Sequence, residues 1–150
     1  MTNLTKFIIV KYITKKLDST IKVKYGKSLQ CDTDNRTIYV NFKKQNDIDN
    51  QTFMELVKEL NPNCNYNPLL LGILHEIGHC FTWLEDFEED YNRDIELLSK
   101  LYQNELISDV DYNRLYVRLE GEQVATQWAV DFAEQNPTFM NKLDKIIREQ

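Results

Sequence analysis

Apolar positions along the chain switch several times between a helical and an alternating rhythm. LTKFIIVKYITKKL, from Leu4 to Leu17, sets Leu4, Phe7, Ile8 and Tyr12 at helical spacing, with Asn3 as the expected cap. TIKVKY alternates Ile21, Val23 and Tyr25 against polar neighbours, and RTIYVNF does the same at Ile38, Val40 and Phe42, so each predicts a strand. CDTDNR between them has turn chemistry, which puts both strands in one small, mostly antiparallel sheet. QTFMELVKEL, residues 51 to 60, predicts a helix that Asn61-Pro62 stops, and Asn67-Pro68 supplies a cap and an N1 proline for the next. That next helix, Pro68 to about Leu84, is apolar on nearly every side except at His75, Glu76 and His79. Such a helix belongs in the middle of its domain. Further helices are expected over about 93 to 106, 109 to 134 and 137 to 149, the second with a break near Gly121. The fold class is therefore α+β, an N-terminal sheet on a helical core.

Composition narrows this without changing it. The 150 residues read as one domain, 1 to 150, long enough to bury roughly 68–70% of its unfolded surface without disulfide staples. A net charge of -6 argues against direct nucleic-acid binding, because phosphates demand a surplus of Lys and Arg. Cys31, Cys64 and Cys80 are odd in number and lack C-x-x-C spacing, which predicts reduced thiols. FIIV is too short for a signal-peptide core, and no run approaches the roughly 18 apolar residues of a membrane span. The expectation is a cytoplasmic protein with no membrane partner. Acidic residues crowd positions 85 to 96, which reads as a solvated face; the run lacks the glycine and ligand periodicity of an EF-hand.

The two histidines carry the chemistry. His75 and His79 stand four apart in HEIGH, which fits H-E-x-x-H. On a helix they share one face and can hold one zinc ion, while Glu76 projects beside them to take a proton from a metal-activated water. Gly72 and Gly78 remove bulk where another backbone could approach. A catalytic zinc site needs three protein ligands and an open position, and no histidine is left for the third. It must be Asp or Glu, unless a cysteine contributes; Cys80 faces another side of the helix. In RLEGEQVATQWAVDFAEQNP, residues 118 to 137, Glu122 shares a helical face with Ala125 and Ala129. Small residues allow close helix packing, so Glu122 is the candidate and Glu120 its rival.

HEIGH followed downstream by E-x-x-A-x-x-W-A, at Glu122, Ala125, Trp128 and Ala129, resembles the ImmA/IrrE-like metallopeptidases, whose second segment usually reads E-x-x-A-x-x-F-A. The order of elements before HEIGH is similar too: a leading helix, strands ending in T-I-Y-V-N, then a helix. The resemblance implies a zincin-like core of the gluzincin kind, with His75, His79 and Glu122 as metal ligands and Glu76 as general base. It implies zinc, with manganese or another divalent ion as an alternative. It also implies a protein substrate such as a repressor-type regulator, in a bacterial, phage or mobile-element setting. Three features depart from the family: Thr126 stands where Asn or Asp is usual, a long acidic helical insertion spans about 85 to 118, and no helix-turn-helix accompanies the catalytic unit.

The expected function is zinc-dependent hydrolysis of a peptide bond in a specific regulatory protein. With no spare histidine, a tyrosine is expected to stabilise the oxyanion; Tyr91, Tyr102, Tyr112 and Tyr116 are unranked candidates. A peptide would lie extended along a sheet edge, for which TIYVNF is the candidate. The competing reading is a metal-binding, non-proteolytic interaction protein with a structural ion.

Overall fold

The computed structural model describes residues 2–40 and 47–150, with the side chains of residues 3, 47–49 and 86 left out of the description. The described residues form an α+β fold of seven helices and a small three-stranded sheet near the N-terminus. None of the described helices is long and apolar enough to cross a membrane.

Helix α1, Asn3–Leu17, starts one residue earlier than expected, capped by Thr2, whose Oγ1 accepts from the Thr5 N–H. Its buried face is Ile9, Val10, Ile13 and Thr14; of the four apolar positions read at helical spacing, Leu4, Ile8 and Tyr12 are more than half exposed and Phe7 is partly buried. FIIV is apolar on adjacent faces, so spacing within this helix could not decide which of them meets the sheet.

The sheet corrects the predicted topology. Strands β1 (Lys22–Tyr25), β2 (Gln30–Asp32) and β3 (Thr37–Val40) lie in the order β1-β3-β2. β1 and β3, the two strands read from alternation, are parallel, while β2 pairs antiparallel with β3. The sheet is therefore mixed rather than mostly antiparallel. The missed element is β2, hidden in residues that read as turn; only Thr33 to Arg36 turn the chain back. The chain crosses β3 at Gly26, where a Cβ would stand 2.7 Å from the Tyr39 Cβ, so only glycine fits. β3 is the central, buried strand and not the expected edge; Asn41 and Phe42 lie outside the described residues.

Helix α2 spans Asp47–Leu60, and α3 spans Pro68–Thr82, with Asn67 Oδ1 accepting from the Leu69 N–H and Pro68 at its start. Leu70, Leu71, Ile73, Leu74 and Ile77 of α3 are wholly buried, as an all-round apolar helix requires. Helix α4 runs Asp86–Gln103, earlier than the 93 to 106 expected, and its acids Glu88, Glu89, Asp90, Asp94 and Glu96 are exposed. The predicted long helix is two, α5 (Asp109–Tyr116) and α6 (Glu120–Gln135), broken at residues 117–119. The break thus falls near Gly121 as expected; Gly121 itself lies in the first turn of α6, where a Cβ would meet the Trp83 ring at 2.7 Å. Helix α7, Pro137–Arg148, closes the core through Met140, Leu143 and Ile147.

Candidate metal centre

The site is built where α3 and α6 cross. Gly78 permits the approach, because a Cβ there would stand 2.8 Å from the Ala125 carbonyl oxygen. Gly72 has no such role; a Cβ there would make ordinary contact with Leu29 at 3.8 Å. Ala125 and Ala129 are buried in the contact, and Glu122, one turn before Ala125, points into it and is 7% exposed. Glu120 is exposed on the other side of the same turn. The structure thus brings His75, His79 and Glu122 together and leaves Glu120 apart.

Glu122 Oε2 lies 2.9 Å from His75 Nε2 and 3.2 Å from His79 Nε2. The three ligand atoms all lie within 4.8 Å of one another and could bind a metal ion. Tetrahedral donors about 2.0–2.1 Å from a zinc ion stand about 3.3–3.4 Å apart, so small movements would suffice to seat one.

Hydrogen-bond bookkeeping supports a cation here. Thr126 Oγ1 donates its single proton to the Glu122 carbonyl oxygen at 3.1 Å. With that proton on the carbonyl, the 2.9 Å contact to His75 Nδ1 is one that an Nδ1–H donates. A neutral His75 accordingly presents a bare Nε2 lone pair to a carboxylate oxygen. Two acceptors at that distance require positive charge between or beside them, a proton or a metal ion. Thr126 is wholly buried. Thr126 is therefore the residue that holds the His75 ring from the side away from Glu122 Oε2. His79 Nδ1, in contrast, is buried with no partner among the described residues.

The second oxygen of Glu122 is also engaged. Tyr116 Oη donates to Oε1 at 3.2 Å and Tyr91 Oη does so at 3.4 Å. Burial pushes both phenols up, with the Glu122 charge adding to the effect, so they stay protonated donors. Burial opposes charge on Glu122, but hydrogen bonds from His75 and His79 outweigh it and hold its carboxyl far below the ordinary carboxylate range. His79 is opposed by burial too, yet the hydrogen bond and charge of Glu122 leave it raised. Glu76 is the counterpart: desolvation raises its carboxyl and the Glu122 charge adds, against the lowering influence of His75, His79 and the Cys31 backbone N–H. Its Oε1 is 4.0 Å from His75 Nε2.

These groups line a cleft of about 660 Å³. His75, Glu76, His79 and Glu122 line it together with Tyr91, Tyr112 and Tyr116 and with the β2 segment, residues 28 to 31 and Thr33. Of the four tyrosines left unranked by sequence, Tyr102 is remote, bonded to Asp109 at 2.6 Å, and only Tyr91 and Tyr116 touch Glu122. Sequence reading gave no sign that the β2 segment lines the cleft. It also missed the proximity of Cys31 and Cys80, because neither depends on local spacing. No family model, no curated protein and no solved structure matches this chain.

Proposed function

We propose that the chain is a zinc-dependent endopeptidase with a zincin-like core of the ImmA/IrrE-like kind, acting on a regulatory protein such as a repressor. The observation that carries the reading is the buried His75–His79–Glu122 cluster opening into a cleft with Glu76 beside it. Among the described residues no further His, Cys, Asp or Glu joins the three, which favours an open coordination position over a closed structural site. A divalent ion bound there would polarise the scissile carbonyl and acidify a water.

The chain's own residues do the rest. Glu76, raised toward neutrality by burial, takes the proton of the attacking water and delivers it to the departing amine nitrogen. Thr126 holds the His75 ring with Nε2 facing the site. The Tyr116 and Tyr91 hydroxyls fix Glu122 through Oε1, leaving Oε2 for the histidines. Either phenol is placed to swing from Glu122 to a developing oxyanion, since both line the cleft. The peptide would lie along β2, the edge strand that borders the cleft, instead of β3.

The test is to incubate zinc-loaded protein with a proteome-derived peptide library and map new N-termini by mass spectrometry. Wild type should generate a defined set that vanishes with chelator and with Glu76→Gln. An identical set from Glu76→Gln, or none from metal-loaded wild type, would overturn the assignment.

A further inference from the structure

A pair of nucleophilic side chains, one of them lining the cleft, takes no part in the His75–His79–Glu122 cluster. Cys31 is the middle residue of β2 and Cys80 lies in the last turn of α3; their Sγ atoms are 3.3 Å apart across 49 residues of sequence. Both are free and half-buried, and Cys31 faces the cleft. The third thiol, Cys64, is buried elsewhere in the core.

The backbones that carry the pair are held in place by an independent contact. Arg36, at the end of the β2–β3 turn, donates from Nη1 to the Cys80 carbonyl oxygen at 2.9 Å and from Nη2 to Asp18 Oδ2 at 2.6 Å. The hairpin and the end of α3 are thereby fixed at the level of the two sulfurs. A disulfide spans about 2.0 Å between sulfurs, so closing the gap takes a shift of roughly 1.3 Å, within the range of small side-chain rotations.

We propose that Cys31 and Cys80 are a site of oxidative modification, closed to a disulfide by a hydroperoxide, that ties the edge strand of the cleft to the metal-site helix. One thiol attacks the peroxide O–O bond and becomes a sulfenic acid, and the peroxide leaves as its alcohol or as water. The second sulfur then displaces the sulfenic hydroxyl, which departs as water with the second thiol's proton. The peroxide accepts the two electrons, and a dithiol reductant returns them. The bond would lie beside Glu76, whose carboxylate is favoured by the Cys31 backbone N–H. The inference rests on the sulfur geometry and stands whether or not the cleft hydrolyses peptides.

The experiment treats the full chain with hydrogen peroxide, blocks remaining thiols by alkylation, and maps peptides without reductant. The expected product is a linked peptide containing Cys31 and Cys80, reversed by dithiothreitol, with Cys64 alkylated throughout. Cys64→Ser should retain the link, and both Cys80→Ser and Cys31→Ala should lose it. Backbone amide exchange over residues 28 to 33 should slow in the linked form and recover on reduction. Recovery of Cys31 and Cys80 on separate peptides, alkylated or as sulfinic acids, would overturn the proposal, as would pairing through Cys64. Unchanged exchange in fully linked protein would overturn the restraint on the strand.

Discussion

Glu122 is the residue on which the site turns, because its two oxygens face different partners. Oε2 meets the histidines while Oε1 takes the phenols of Tyr91 and Tyr116. Thr126 is equally specific: with its one proton on the Glu122 carbonyl, its oxygen is the acceptor for the His75 Nδ1–H. Thr126→Val keeps the shape and removes that acceptor, so metal affinity should fall about 10- to 100-fold in competition with a chromophoric chelator. Unchanged affinity would show that the hydroxyl does not orient the ring. Glu76→Gln should retain metal and lose roughly 100- to 10,000-fold in cleavage rate, measured on any peptide that the library assay identifies. The histidines, Glu76 and Glu122 were legible in sequence because a helix turns spacing into a shared face. The tyrosines could be named but not ranked: Tyr91 and Tyr116 come from two helices whose packing no local pattern encodes.

At the scale of elements, the crossing of α3 on α6 decides whether a site exists. Gly78 and Ala125 are its closest point, and Gly78→Ala would set a methyl 2.8 Å from a backbone oxygen that cannot rotate away. The helices would have to separate, at a cost of about 1–3 kcal/mol in urea unfolding, with weakened metal binding as Glu122 withdraws. Full stability with full affinity would contradict this account of the contact. α3 could be read with nearly its observed bounds because Asn67-Pro68 opens it and its apolar surface is continuous. The sheet could not. β2 has only three residues, Gln30, Cys31 and Asp32, too few to display a rhythm, and without it the two alternating strands read as antiparallel neighbours. α1 shows a different limit, since apolar residues on both faces leave the choice of buried side to tertiary packing.

Across the whole molecule, ion pairs between distant segments tie α5 and the turn after it to α2, helices that give Tyr112, Tyr116, Thr52 and Phe53 to the cleft. Arg114 on α5 donates from Nε to Glu55 Oε2 on α2 at 3.0 Å, and Arg118 donates to Glu59 at 2.6 Å. The Arg114 hydrogen bond lowers the Glu55 carboxyl below its ordinary value of 4.5. A group lowered in the folded state stabilises the fold above its unfolded value and loses that contribution as the pH falls through the folded one. Urea midpoints of wild type and Arg114→Gln should therefore differ at about pH 6 and converge at about pH 3. A gap that persists in acid would show that the arginine acts by packing instead. Zinc at about 100 times its dissociation constant should raise the thermal midpoint by about 5–10 °C through linkage to the folded state. The most direct measurement is elemental analysis of the purified, zinc-loaded chain and its variants after desalting. One zinc ion per chain in wild type and in Glu76→Gln, lost in His79→Ala and Glu122→Ala, is the predicted result. A wild type that carries no metal, or Glu122→Ala that keeps a full equivalent, would contradict it.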